Sequence, residues 1–168
     1  MHSRGHGKPG AQRLYSADER RRRDASRWTL VQGVLAPLQF AVFLASLYLV
    51  LRYLANGEGL AIASASVVIK TLVLYTIMVT GSIWEKEVFG VWLFARPFFW
   101  EDVFSMLVLA LHTAYLVALF TGWLDPRGQM ALALAAYAAY VINAAQFLLK
   151  LRAARLDAAP PAAALAAD

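Results

Sequence analysis

Trp84-Glu85-Lys86-Glu87-Val88-Phe89-Gly90, followed by Phe98-Phe99-Trp100-Glu101-Asp102, sets four carboxylates within eighteen residues, among aromatic side chains. A long apolar run closes on this stretch from each side, Leu60 to Ile83 before it and Val103 to Phe120 after it. A soluble domain scatters its acids over a solvated surface. Here they mark where two apolar helices reach the same membrane face, so a substrate bound between those helices would meet them. The rest of the chain reads as the scaffold of this acidic junction.

The composition agrees. Of 168 residues, 60% are hydrophobic and 16% charged, more apolar than a soluble domain of this size. The excess is gathered in runs of about 20 residues, the length that spans a bilayer core. The expected fold is all-α, a polytopic membrane protein with four transmembrane helices and a short N-terminal interfacial helix. Cysteine is absent, which removes disulfides, thiol nucleophiles and cysteine metal sites. The net charge of +5 comes from the N-terminal tail, and in a membrane protein it reports orientation and lipid contact sooner than nucleic acid.

Residues 1–14 lack apolar periodicity and are expected to be disordered. Ser16-Ala17-Asp18-Glu19 is a capping box that opens a basic, amphipathic interfacial helix across residues 15–28, with Trp28 suited to the membrane interface. Nothing here resembles a cleavable signal peptide. The first span, about Leu30 to Leu51, carries Pro37 and a seam of Gln32, Gln39 and Ser46. Sevenfold spacing keeps these three within about 40° of one another, either as interhelical hydrogen-bond glue or as the lining of a cleft. Asn56-Gly57-Glu58-Gly59 is a turn.

The second span, about Leu60 to Trp84, carries Lys70, which either snorkels or marks a function or a buried partner. Thr71, Tyr75, Ser82 and Glu85 form a polar stripe on it, leading to the junction. The connection Glu85 to Asp102 is broken by Arg96-Pro97. The third span, about Phe99 to Gly122, carries Glu101, Ser105 and His112 within about 40°, with Tyr115 nearby. Asp125-Pro126-Arg127-Gly128 is a turn, and the fourth span, about Gln129 to Leu151, is Ala-rich. The four-helix catalytic unit covers 29–156, and the Ala/Pro-rich tail 157–168 is expected to be disordered.

Basic residues beside the spans set the orientation. Eight lie in the N-terminal tail and three in the C-terminal flank (Lys150, Arg152, Arg155), against two in the middle connection and one in each outer loop. Both termini, and with them the acidic junction, are expected on the cytoplasmic side.

No phosphate-cradling glycine loop, zinc-protease pair or nucleophile elbow is present. What remains is carboxylates, one intramembrane histidine, one intramembrane lysine and tyrosines, a set suited to acid–base chemistry on a hydrophobic substrate without a bound cofactor. Glu85, Glu87, Glu101 and Asp102 either crowd into an acid beside a base or simply anchor two helix ends at water. His112 is either an interhelical hydrogen-bonding group or a ligand or base.

Trp28-Thr29-Leu30-Val31-Gln32-Gly33, Lys70-Thr71-Leu72-Val73-Leu74-Tyr75-Thr76, Glu85-Lys86-Glu87-Val88-Phe89-Gly90, Phe98-Phe99-Trp100-Glu101-Asp102-Val103 and Leu111-His112-Thr113-Ala114-Tyr115 together resemble the 3-vinyl bacteriochlorophyllide hydratases. The likeness covers about Tyr15 to Leu156. It implies a multi-pass enzyme of a bacterial inner membrane, cytoplasmic or intracytoplasmic photosynthetic, acting in bacteriochlorophyll biosynthesis. Such an enzyme adds water to the C3 vinyl group of a chlorophyllide or bacteriochlorophyllide, giving a 1-hydroxyethyl group, with no cofactor of its own.

On that implication Glu101 is the expected acid, Asp102 or Glu87 the base, and Glu85 a tuning or positioning group. His112 would ligate the substrate magnesium or bond the macrocycle edge, and Trp84, Phe98, Phe99 and Trp100 would stack on the ring. Lys70, Tyr75, Ser105 and Tyr115 complete the candidate substrate-binding set. Expected partners are the pigment substrate, membrane lipids, neighbouring pigment-biosynthesis enzymes and a second copy of the chain, with no nucleic acid. A non-catalytic pigment-binding or assembly module would need the aromatics without the acids, and a small transporter would use Lys70 and the polar seams as a path.

Overall fold

The computed structural model describes residues 14–158. Both expected disordered tails fall outside these residues, apart from Leu14 at one end and Asp157 and Ala158 at the other. Every regular element among the described residues is helical. Helix α1 (Ala17–Ala25) opens on the capping box, Ser16 accepting from the Glu19 amide while the Glu19 side chain accepts from the Ser16 amide. It stops at Ser26, whose extended backbone ends α1 and whose hydroxyl caps the next helix by accepting from the Trp28 amide. Trp28 therefore belongs to the first long helix and not to the short one, because Ser26 satisfies the new helix's free amides before the tryptophan is reached.

Helix α2 (Arg27–Asn56) carries Pro37 internally and ends at Gly57, with φ of 76°. Only a residue without Cβ adopts that backbone at little cost. Helix α3 (Leu60–Phe89) ends at Gly90. Glu85 and Glu87 thus lie on its last turns, not in the connection, since a left-handed glycine cap and not the first charged residue terminates the helix. A 3-10 turn over Arg96–Phe98 leads into helix α4 (Phe99–Thr121). Helix α5 (Pro126–Ala158) starts at Pro126. Asp125 caps it by accepting from the Gly128 amide at 3.0 Å, so the expected turn at 125–128 is instead a helix start with proline at the position where no amide partner is needed. The helix also runs past Leu151 to Ala158.

All four long helices are long and apolar enough to cross a membrane. Helix α2 pairs chiefly with α3, and α4 with α5, giving two hairpins, with α2 also against α5 and a narrower contact between α3 and α4. The core between them joins Phe43, Val67, Val108 and Met130 to alanines of α5. Leu30, Ile62, Leu72, Phe120 and Leu148 are exposed on the outside of the bundle, where lipid, not water, suits them.

The α2 polar seam faces inward. Gln32 donates to Thr80 at 2.7 Å, Ser46 bonds Ser66 at 2.7 Å and Tyr137 at 2.5 Å, and Gln39 is buried. These are helix-to-helix bonds. The α3 stripe is not one path: Thr71 and Ser82 donate to carbonyls of their own helix, and Tyr75 bonds Thr113 of α4.

Candidate active site

One end of the bundle gathers the acidic ends of α3 and α4, helix α1 and the C-terminal half of α5. Arg22 donates to the Val88 carbonyl at 2.7 Å, tying α1 to the last turn of α3. Tyr15 stacks on Phe89, and Phe98 sits among Tyr15, Trp84, Phe89 and Phe147. An aromatic plug thereby fixes the α3–α4 connection. Trp84 also donates to Thr29 of α2 at 2.9 Å.

Within this frame the four carboxylates separate into different environments. Glu85 and Asp102 are both buried, at 5% and 4% exposure, and are near enough for each carboxyl to act on the other. Each also accepts a backbone amide of the intervening segment, Glu85 from Ala95 at 3.1 Å and Asp102 from Phe94 at 2.7 Å. Phe94 has φ of 61°, a left-handed backbone that is strained for an aromatic residue and that aims its amide at Asp102.

Glu101 is differently occupied. Lys150 of α5 donates to it at 2.6 Å and also donates to the Pro97 carbonyl. Its carboxylate is neutralised by a fixed cation. Glu87 is exposed, and the Ser26 hydroxyl donates to it at 2.8 Å, so it stands apart from the buried pair and helps seat α1 and α2 on α3.

The aromatics divide as well. Phe98 is 2% exposed, with Phe147 stacked on it and Lys150 Nζ 5.3 Å from its ring centre. It has no free face for a flat ligand, since the plug it completes occupies both sides. Trp84 is tied into the same plug. Phe99 and Trp100, by contrast, are exposed at 44% and 66% and meet edge to face. They flank the buried acid pair from outside the first turn of α4, and Phe94 packs against Phe99.

The remaining predicted residues lie deeper. His112 follows Asp102 by ten residues, about 15 Å along a helix, and is fully buried with Nδ1 bonded to the Val108 carbonyl. Lys70 is fully buried with Nζ 3.9 Å from the Tyr140 ring centre. Ser105 accepts from Asn143 at 2.8 Å, and Tyr115 is fully buried. His112 and Lys70 belong to the bundle interior. Snorkelling is ruled out for Lys70 by its burial.

Sequence reasoning did not single out Lys150, Ser26, Arg22, Tyr15 or the Phe94 and Ala95 amides as part of the junction. Lys150 was readable only as one more orientation charge. Its partner is 49 residues away, and no local pattern connects them.

The arrangement offers two buried neighbouring carboxyls, Glu85 and Asp102, a third, Glu101, in an ion pair with Lys150, and the exposed aromatics Phe99 and Trp100. It suits proton donation to, and proton removal from, an apolar substrate. A family model described as 2-vinyl bacteriochlorophyllide hydratase matches residues 15–153. A Cereibacter sphaeroides protein named 2-vinyl bacteriochlorophyllide hydratase is 72% identical over 146 residues, covering 86% of this chain and 90% of its own. One of the same name from Rhodobacter capsulatus is 66% identical over 151 residues, covering 90% and 88%. No solved structure matches.

Proposed function

The chain belongs to the 2-vinyl bacteriochlorophyllide hydratase family, and from that premise we propose that it adds water across the vinyl group of a chlorophyllide or bacteriochlorophyllide, giving a 1-hydroxyethyl group. The vinyl-bearing carbon is position 2 in one numbering of the macrocycle and position 3 in another. The observation that carries the mechanism is the burial of the Glu85 and Asp102 carboxyls side by side in one segment's grip, each held by one backbone amide of residues 94–95.

A proton carried by this pair goes to the terminal vinyl carbon, where the π electrons form the new C–H bond. Positive charge develops on the adjacent carbon and spreads into the macrocycle. A water oxygen bonds to that carbon and releases its proton to the pair, which returns to its starting state. One water is added and nothing is oxidised or reduced, so the chemistry requires no redox cofactor, and the magnesium belongs to the substrate.

In this scheme Glu101 is a positioning group, its carboxylate engaged by the Lys150 ammonium at 2.6 Å. It adjoins Asp102 in sequence and carries the Lys150 cation beside it. Phe99 and Trp100 offer aromatic surface to the macrocycle at the rim. The positive-inside count puts both termini and the junction on the cytoplasmic side of a bacterial inner membrane, where a soluble enzyme's product would arrive.

The test is incubation of the purified, detergent-solubilised chain with 3-vinyl chlorophyllide and, separately, the bacteriochlorophyllide, with no added cofactor. A mass gain of one water (about 18 mass units) is expected. Pigment retained without mass gain would replace the enzyme by a pigment-binding module.

A further inference from the structure

Behind the junction, polar side chains continue into the bundle. On α4 they run Glu101, Ser105, His112, and on α5 Lys150, Gln146 and Asn143, followed by Tyr140, which meets Phe43 of α2 and Lys70 of α3. The stripes are cross-linked by the Lys150–Glu101 ion pair and by the Asn143–Ser105 hydrogen bond. Six buried side-chain atoms along and beside them have no partner among the described residues: Gln39 Oε1, Lys70 Nζ, His112 Nε2, Tyr115 Oη, Asn143 Oδ1 and Gln146 Oε1. Lys70, His112 and Tyr115 are fully buried and Gln39 nearly so. Buried polar groups without partners are rare in native proteins, and ordered water is their usual solution.

The chemistry of the six atoms selects the ligand. The three amide oxygens only accept, the lysine ammonium only donates, and the tyrosine hydroxyl does either. An anion would serve the donors and leave the amide oxygens unmet, and a cation the reverse. Water donates and accepts, and serves them all. On α5 the polar file is bounded by the fully buried, apolar Met130, Ala133 and Ala136, and toward the junction it meets the Lys150–Glu101 pair.

We propose that α2–α5 enclose a file of bound waters from Gln146 and Asn143 to Lys70 and His112, and that it supplies the junction with the water consumed when a hydrophobic substrate covers the mouth. The supply role rests on the hydratase reading, and the presence of the waters does not.

Millisecond hydroxyl-radical labelling of the full chain in detergent, read by mass spectrometry, separates the two. His112 and Tyr140 are expected to label severalfold faster than Met130, although a sulfur side chain is the more reactive when wet. Equal or slower labelling of both than of Met130 would overturn the file. With H2(18)O added just before the pulse, Asn143→Leu is expected to delay 18O appearance at His112 severalfold and to lower hydration turnover with KM unchanged. Normal turnover in a variant with the delayed label would overturn the supply role. A wild-type chain that labels as expected but hydrates no vinyl group would overturn the hydratase reading and the supply role built on it, leaving the water file standing.

Discussion

Glu85 and Asp102 each accept a backbone amide from the same short segment, Ala95 and Phe94, although they end one apolar helix and begin the next. Gly90 releases the chain from α3, and the 3-10 turn at Pro97 starts it back. The strained Phe94 and its neighbour Ala95 then supply the amides that hold the pair. If this pair carries the proton, Asp102→Asn and Glu85→Gln should each lower kcat by about 10²–10⁴-fold, the usual loss for a general acid or base. Glu87→Gln should stay within severalfold of the parent. The check is steady-state vinyl hydration; a Glu87 variant as damaged as the Asp102 variant would move the chemistry to the surface.

Lys150 clamps the opening of α4 through Glu101 and the Pro97 carbonyl. Lys150→Met leaves the 8%-exposed Glu101 side chain without its cation. The pair lies between a surface and a buried salt bridge, so the expected loss is about 1–3 kcal/mol. Thermal unfolding in detergent reads it. Lys150→Arg should recover most of the stability.

Gly90 has open space around its Cβ position and φ of 83°, so a substitution there is strained by backbone alone. Gly90→Ala should cost about 1–2 kcal/mol in the same unfolding assay. It should also lower turnover, because the cap sets where the 94–95 amides fall relative to Glu85.

Tyr137→Phe removes the Ser46 hydrogen bond and leaves the ring packing with Phe43 in place. A loss of about 1 kcal/mol is expected, with Ser46 still bonded to Ser66.

Orientation is open to direct measurement, since the chain has no cysteine of its own. Glu58→Cys and Arg152→Cys each replace an exposed side chain, at opposite ends of the bundle. A membrane-impermeant thiol reagent applied to intact spheroplasts should label the first and spare the second. The reverse pattern would put the junction outside the cell.

The four spans were legible because hydropathy over about 20 residues needs no tertiary information. The Ser16–Glu19 cap was equally local. Helix ends were not: charge was read as leaving the helix at Glu85, whereas α3 runs on until a left-handed glycine stops it. Sixteen residues lie between Glu85 and Asp102, and their approach follows from a turn whose strained member is Phe94, a residue type that signals nothing of the kind. Trp84 and Phe98 were read as ring-stacking groups, and the structure packs both into the aromatic plug. Aromatic content marked the junction, but only packing decides which rings plug it and which remain at its rim. His112 and Lys70 were rightly placed inside the bundle, and their distance from the acids lies in a dimension that helical rotation does not measure.

The pairing of α2 with α3 and of α4 with α5 bears on how the protein is made. Each hairpin joins neighbours in sequence, so each can enter the bilayer as it leaves the ribosome. The first hairpin and the start of α4 already contain all four acids. Lys150 and Phe147, however, arrive only near the end of the last helix. A nascent or truncated chain would therefore carry every carboxylate while lacking the ion pair and the aromatic plug that order them. On the proposed mechanism, such an unfinished copy in the membrane is expected to be inert.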